Sequence, residues 1–386
     1  MKNVLFITRH YMHKASGGTL CSRAYMFAFA NIFEKISIIY PTFAGINMDE
    51  FLPKNAVLYG CSDKRSKIRK AFDMYLGKIH RFGKYVKVHL KTHQYDIIII
   101  DHSILACGII KFIKHNTASK IITIHHNVEK NYNKDNLQPL LIRLPYNYFA
   151  NKAEIHAINL SDLNITLTNQ DRLFFSSWKK NISHNPIATC GIFENPNTTT
   201  TLDLKQQNSH NNPLLVISGS LNFPQTEIAI IDFIHKYYNL AKQITPNVKL
   251  IVTGRNPSKK TKQLCHEDNT ITLIENPDDI LSIVNRGNIY VSPIQGGSGL
   301  KLRIMDGLKL GLPIICHENS ARGYEKMVEH RALITYNNQN SFKHAYKKVL
   351  INNLPRNTIR DLYKSEYGFQ TGVLRLRTIL NEYGIL

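Results

Sequence analysis

The sequence predicts an α/β chain made of two doubly wound, Rossmann-like domains facing a central cleft. Three observations carry this reading. At 386 residues the chain is longer than one hydrophobic core usually supports. Short apolar runs without alternation recur along it, the pattern of strands buried on both faces of a parallel sheet. A single Asn-, Thr- and Gln-rich stretch between Cys190 and Pro213 interrupts them and divides the series in two.

The first strand is expected over residues 3–8 (NVLFIT), followed by a loop holding Gly17 and Gly18 and a helix from about Thr19 to Phe33. Further strands are expected at 36–40, 56–59, 96–100, 120–124 and 163–168, with helix-length segments between most of them. After the polar stretch, strands are expected at 214–218, 249–253, 271–274, 288–293 and 312–316. Two such units in one chain put ligands at the carboxyl ends of strands, in the cleft between domains. The expected division is a first domain over 1–190, a linker over 191–212, a second domain over 213–365, and a helical stretch over 366–386 that packs back on the first domain.

Composition excludes several classes. With 43% hydrophobic and 20% charged residues, and only 20 Gly and 14 Pro, the chain is neither disordered nor fibrous. Six dispersed cysteines without a C-x-x-C pair suggest neither a zinc site nor a disulfide framework, and fit a reducing compartment. The apolar run Val4 to Thr8 is too brief for a signal-peptide core, and nothing approaches the roughly 18 apolar residues of a membrane span. A cytoplasmic protein is expected, touching a membrane only at its surface.

The net charge of +21 calls for an anionic partner. Lys and Arg outnumber Asp and Glu by 26 to 13 over residues 1–200, and by 23 to 15 over the rest, so the first half carries more of the excess. Residues 64–91 hold ten Lys or Arg against Asp73 alone, and Ile68, Phe72, Tyr75, Leu76, Ile79, Phe82, Val86 and Leu90 recur there at helical spacing. That basic amphipathic segment is either a packed helix with a solvated rim or a docking face for an anionic membrane surface or a lipid-linked acceptor.

The most informative segment is YVSPIQGGSGLKLRIMDGLKLGLPII, starting at Tyr290. A strand ending at Pro293 leads into Gly296, Gly297, Ser298 and Gly299, and a helix is expected from about Leu300. Glycines let the backbone approach an anion closely, and the free amides and dipole of a helix N-terminus favour a phosphate. Lys301 and Arg303 add positive charge to the same turn. Asp306, two turns into the expected helix, is too far along to cap it and is free to meet a sugar hydroxyl pair. By itself the pattern also suits a plain strand-loop-helix turn.

The segment resembles the donor-site signature of GT-B glycosyltransferases of the family 4 type, the glycosyl transferases group 1. In that family a glycine-rich loop leads into a helix bearing a Glu, then a Gly-x-Pro-hydrophobic strand. The resemblance implies that the donor diphosphate sits at the helix N-terminus and that Asp306 grips the nucleotide ribose. Asp306 replaces the family's usual Glu, and Ser298 stands where many members have a Glu that contacts the donor sugar. Gly219-Ser220-Leu221-Asn222-Phe223-Pro224 resembles the family's Gly-Ser loop, and Val252 to Pro257 its second strand and turn. Members often carry a cation soon after the Gly-Ser loop. Gln225 and Thr226 stand there in this chain, so the diphosphate charge falls to Arg255 and Lys301. The implied donor-binding set is Gly219, Ser220, Arg255, Gly297, Ser298, Gly299, Leu300, Lys301 and Asp306.

In the first half, Gly17-Gly18-Thr19 resembles the family's glycine loop near diphosphate and acceptor, and His125-His126-Asn127-Val128-Glu129 its His-Asn-x-Glu run. The resemblance makes His126 the catalytic candidate near the anomeric carbon, with Glu129 orienting it or supporting the loop, and assigns Glu154 a structural role. It implies transfer of a sugar from a nucleotide diphosphate sugar to a saccharide or lipid-linked acceptor, in bacterial-type cell-surface polysaccharide or lipopolysaccharide synthesis. Retention at the anomeric carbon, no bound metal and no cofactor beyond the donor are expected with it. Two rival readings stand: a sugar-nucleotide epimerase of the same architecture, and a nucleic-acid-binding protein. The latter rests on charge alone, since no helix-turn-helix, RRM or zinc pattern occurs, and no nucleic-acid partner is expected.

Overall fold

The computed structural model describes residues 2–14, 16–42, 45–46, 48–62, 65–66, 68–69, 83–129, 140–178, 185–196, 212–297, 299–351 and 354–386. Described residues up to Pro196, together with Tyr367–Leu386, form one compact unit, and those from Asn212 to Glu366 form another.

The first unit is built on strands β1 (Val4–Thr8), β2 (Ile36–Pro41), β3 (Ala56–Cys61), β4 (Ile97–Asp101), β5 (Lys120–His125), β6 (Leu163–Thr166) and β7 (Ile187–Thr189). They form one sheet in the order β3-β2-β1-β4-β5-β6-β7, every pairing parallel. Four successive isoleucines, Ile97–Ile100, sit on β4 and all are fully buried. Central strands of a parallel sheet have helices on both faces, so both side-chain sets must be apolar, and β-branched residues fit the pleat best. Strand order reverses between β1 and β4, which opens a crevice at their carboxyl ends.

The second unit holds β8 (Leu214–Ser220), β9 (Lys249–Arg255), β10 (Ile271–Glu275), β11 (Ile289–Ser292), β12 (Ile314–His317) and β13 (Leu333–Tyr336), in the parallel order β10-β9-β8-β11-β12-β13. Its reversal lies between β8 and β11. The edge strand β10 is buried only at Ile271 and otherwise half or fully exposed, as a one-sided edge should be. Two architectures of the same doubly wound kind thus follow one another in the chain.

Strands β7 and β13 are absent from the sequence expectation. Both lie at sheet edges, paired on one side only, and neither is a wholly buried apolar run. The expected linker start at 191 is also too early. Ile192 and Phe193 are buried in the first unit, where the terminal helix Phe369–Glu382 packs on the helix Gly17–Ile32. A Cβ at Gly372 would lie 2.1 Å from the Phe193 ring, so helix and ring meet there without a side chain between them. Tyr25 donates to the Gly191 carbonyl at 2.6 Å on the same face.

The basic segment is described only at its ends. Phe72, Tyr75, Leu76, Ile79 and Phe82 lie outside the described residues, Ile68 is exposed, and Val86 and Leu90 are buried around the helix Gly83–His89. No described helix is long and apolar enough to cross a membrane.

Candidate active site

In the second unit, β8 and β9 end side by side, with Gly219 opposite Gly254 and Ser220 opposite Arg255. Gly254 has φ +153°, and a Cβ on it would fall 1.8 Å from the Gly219 carbonyl oxygen. Glycine there is a packing requirement. It lets the two strand ends close up and carry Ser220 and Arg255, both exposed, at the same edge.

From Pro293 the chain leaves β11 and runs irregularly through Gly296, Gly297 (φ +92°) and Gly299 (φ +79°). The helix begins at Arg303 and ends at Lys309, so it starts three residues later than the expected Leu300. Side chains hold the preceding turn instead. Lys301 donates its ammonium to the Gly297 carbonyl at 3.0 Å, and the Tyr324 hydroxyl donates to the Lys301 carbonyl at 3.1 Å. Gly297 is hemmed in by the same arrangement: a Cβ there would lie 2.5 Å from Gln225 Oε1 and 2.9 Å from Lys301 Nζ. Ser298 lies outside the described residues.

The late start moves Asp306 into the first turn of the helix, where its carboxylate accepts from Arg303 Nη1 at 2.9 Å. The expected position two turns along is therefore wrong, and the carboxylate has a cationic partner already. Burial raises the Asp306 pKa, with Arg303 and Lys309 pulling against it. Burial opposes the charge on Arg303, yet Asp306 holds its pKa above the ordinary value.

A small solvent-open pocket of about 60 Å³ lies here, lined among others by Ser218, Thr226, Ser292, Lys301 and Arg303. Behind it Tyr290, fully buried, shares a 2.9 Å hydrogen bond with Ser218. Of the expected donor set only Lys301 lines this pocket. Gly219, Ser220 and Arg255 sit at the strand ends, Gly297, Gly299 and Leu300 in the turn, and Asp306 on Arg303. Arg303 is the residue missing from the expected set. Its signal was present, a second cation two positions after Lys301 and three before Asp306, the spacing at which helical side chains meet.

In the first unit, three neighbouring strands bring a polar cluster together. Thr8 of β1 is opposite Asp101 of β4, which is opposite Ile124 of β5. The buried Asp101 carboxylate accepts from Thr8 Oγ1 at 2.6 Å and from His126 Nε2 at 2.7 Å. Burial works against both charges. His126 nonetheless titrates well above the usual histidine range, held there by the Cys21 sulfur and Asp101, and His126 in turn depresses Asp101.

His102 behaves oppositely. Burial first, and the neighbouring cation Arg9 second, push its pKa well below 6.5. Its Nδ1 accepts from the Ile104 amide at 3.4 Å, so Nε2 carries the proton and faces Glu129 Oε1 at 3.2 Å. The residue has φ +90°, a conformation that non-glycine side chains avoid and that clusters at functional sites. Burial raises Glu129 to about 7. The Glu129 amide donates to Glu154 Oε1 at 2.7 Å, and the Tyr146 hydroxyl reaches Glu129 Oε2 at 3.4 Å. Glu129 thus touches His102, while His126 is bonded to Asp101, so of the two expected roles for Glu129 the contacts do not match the orientation of His126.

Gly17 and Gly18 are the first residues of a helix, not a loop. Ser16 caps that helix by accepting from the Thr19 amide at 3.3 Å. A Cβ on Gly18 would lie 2.6 Å from the His10 ring, which explains the residue by close approach. His10 itself stacks on His126 at 5.3 Å and an interplanar angle of 11°. Thr8, His10, Asp101 and His102 escape a motif search because strand order, and nothing in local sequence, makes them neighbours.

Residues 212–352 match the family Glycosyl transferases group 1. A 44.6 kDa protein in the cps region of Klebsiella pneumoniae is 27% identical over 107 residues, which are 26% of this chain and span only 27% of that protein's length. Among solved structures, HepE of Anabaena in complex with UDP and glucose has a TM-score of 0.64 at 12% identity, over 99% of this chain and 100% of that one. TarM of S. aureus, a mutant in complex with Fondaparinux, alpha-GlcNAc-glycerol and UDP, has 0.64 at 10%, over 99% and 100%. A glycosyltransferase from Rickettsia africae has 0.62 at 14%, over 99% and 98%. The likeness over nearly the whole chain defines the fold, that of the GT-B class. The family match covers the second unit, from residue 212 to 352.

Proposed function

We propose that this chain moves a sugar from a nucleoside diphosphate sugar to a saccharide or lipid-linked acceptor, in the synthesis of a bacterial cell-surface polysaccharide. The observation that carries the reading is the pocket beside the glycine turn, where Lys301 and Arg303 supply two cations inside the segment that matches the glycosyltransferase family. Such cations and preorganised amides stabilise the charge that builds on a departing diphosphate. Ser220 and Arg255 extend the donor surface, and His126, held by Asp101, serves the reacting end of the sugar. Retention at the anomeric carbon, independence of a metal and action at the cytoplasmic membrane face belong to the same proposal. UDP is the nucleotide favoured, because HepE and TarM are solved with it. The cps-region relative supports the polysaccharide assignment.

A thermal-shift screen of UDP, GDP, ADP and dTDP sugars tests the donor, since a ligand at about 100 times its dissociation constant stabilises by about 2.7 kcal/mol. Product analysis with and without a saccharide acceptor then tests transfer. A new sugar nucleotide made from donor alone would replace the proposal with the epimerase reading. Stabilisation by none of the four would overturn both. For the membrane face, binding to vesicles of anionic lipid should fall when Arg65 and Arg69 are neutralised with the surrounding lysines. Absence of binding in the unaltered chain removes that part.

A further inference from the structure

We infer that the first turns of the helix Leu140–Leu160 seat the first unit on the surface of an anionic lipid bilayer, with Leu140, Leu144 and Tyr148 entering the lipid. This rests on the membrane-face part of the proposed function and supplies an inserting element for it. The three side chains are 56%, 58% and 70% exposed. They stand four residues apart, so the helix stacks them into one ridge. Packing uses the other side of the helix, where Phe149 and Ala153 are fully buried against Ile104 and Cys107. A contiguous apolar surface rimmed by polar groups is seldom left on a chain that meets only water.

The charge around the ridge fits anionic lipid. Lys152, exposed, is the next residue in the same row, and Lys111 is exposed on the helix Ile110–Asn116, which packs on this one. Burial first, and then both lysines, lower the pKa of His156, so the two cations lie near one another. The only acid within Leu140–Leu160 is Glu154, which is fully buried with Oε1 accepting from the Glu129 amide. The outward face of this helix therefore carries positive charge without a counter-charge of its own. Leucines below the head groups, a tyrosine at their level and lysine stems reaching up to lipid phosphates are the parts of an interfacial helix.

The ridge also lies close to the polar cluster of the first unit. Tyr146, between Leu144 and Tyr148, turns inward, and its hydroxyl reaches Glu129 Oε2 at 3.4 Å. Glu129 in turn faces His102 at 3.2 Å. The same two turns of helix thus carry lipid-facing side chains outside and a contact to the cluster inside. Seating them on a bilayer brings that cluster to the height of the head groups, where a lipid-linked acceptor presents its sugar.

The test uses the full chain with vesicles of phosphatidylglycerol and phosphatidylcholine, or of phosphatidylcholine alone, and with no donor or acceptor present. It is therefore independent of whether sugar transfer is the activity. The sequence has one tryptophan, Trp178, so the difference spectrum between Tyr148→Trp and the unaltered chain reports on the ridge. A blue shift, and quenching by brominated acyl chains, are expected on the anionic vesicles and not on phosphatidylcholine. Replacing Leu140, Leu144 and Tyr148 together by serine should lower partitioning by about tenfold or more. Lys111→Gln and Lys152→Gln should lower it by about fivefold each. All five side chains are exposed, and melting curves verify that each variant is folded. An indole at 148 that stays in water while the chain binds vesicles overturns the inference and leaves the membrane-face reading standing on the basic segment. No vesicle binding by the unaltered chain overturns both. Undiminished partitioning of the folded triple-serine chain, or a dimer in solution that this variant abolishes, also overturns the inference.

Discussion

Substituting Asp306 separates three roles that its position permits. The carboxylate is bonded to Arg303 across one helical turn, and both side chains are partly exposed. As a structural pair it contributes only about 0.3–0.5 kcal/mol. For a unit of this size that is a melting-temperature shift of about 1–2 °C. If instead the carboxylate grips the nucleotide ribose, charge-assisted hydrogen bonds of about 1.5–3 kcal/mol are lost. At 1.4 kcal/mol per decade this weakens donor binding by roughly ten- to a hundredfold. A third role is to aim Arg303 at the diphosphate from the pocket wall. Calorimetric titration of Asp306→Ala and Asp306→Glu with uridine and with UDP distinguishes them. The ribose role predicts that Ala weakens both ligands while Glu restores much of the affinity. The aiming role predicts loss for UDP and none for uridine. A folded Asp306→Ala chain that binds both ligands normally would refute a place for Asp306 in the donor site.

Further outcomes follow from the same structure. Glu129 has a folded pKa of about 7 against about 4.5 unfolded, so the folded state holds the extra proton in that window and stability falls as pH rises from about 4.5 to 7. Glu129→Gln should remove this slope, on the order of 3 kcal/mol, and parallel melting curves for both chains across the window would show the idea wrong. Gly254→Ala sets a methyl 1.8 Å from the Gly219 carbonyl and should cost about 1–3 kcal/mol by strand displacement, read by urea unfolding. Wild-type stability in that variant would mean the strand ends part easily. On the proposed reading cations of the protein supply the charge at the donor diphosphate, so turnover should survive EDTA. Loss on chelation, restored by Mg²⁺ or Mn²⁺, would contradict that.

By itself the sequence determined the layered α/β architecture, the two successive units and the location of the glycine turn. These are legible because they depend on local physics: buried parallel strands demand unbroken apolar runs such as Ile97–Ile100, and Gly296, Gly297 and Gly299 bear directly on backbone geometry. The start of the helix at Arg303 was not legible, because Lys301 and Tyr324 hold the preceding turn from outside it. For the same reason Arg303, read only as added charge on the turn, was left out of the expected donor set, and Asp306 was set a turn too far along. Strands β7 and β13 were missed because an edge strand, paired on one side only, need not be a wholly buried apolar run. The histidine and carboxylate cluster was decided wholly by tertiary structure. His10, Asp101, His102 and His126 become neighbours only because β1, β4 and β5 lie side by side, and strand order is a property of how the whole chain packs.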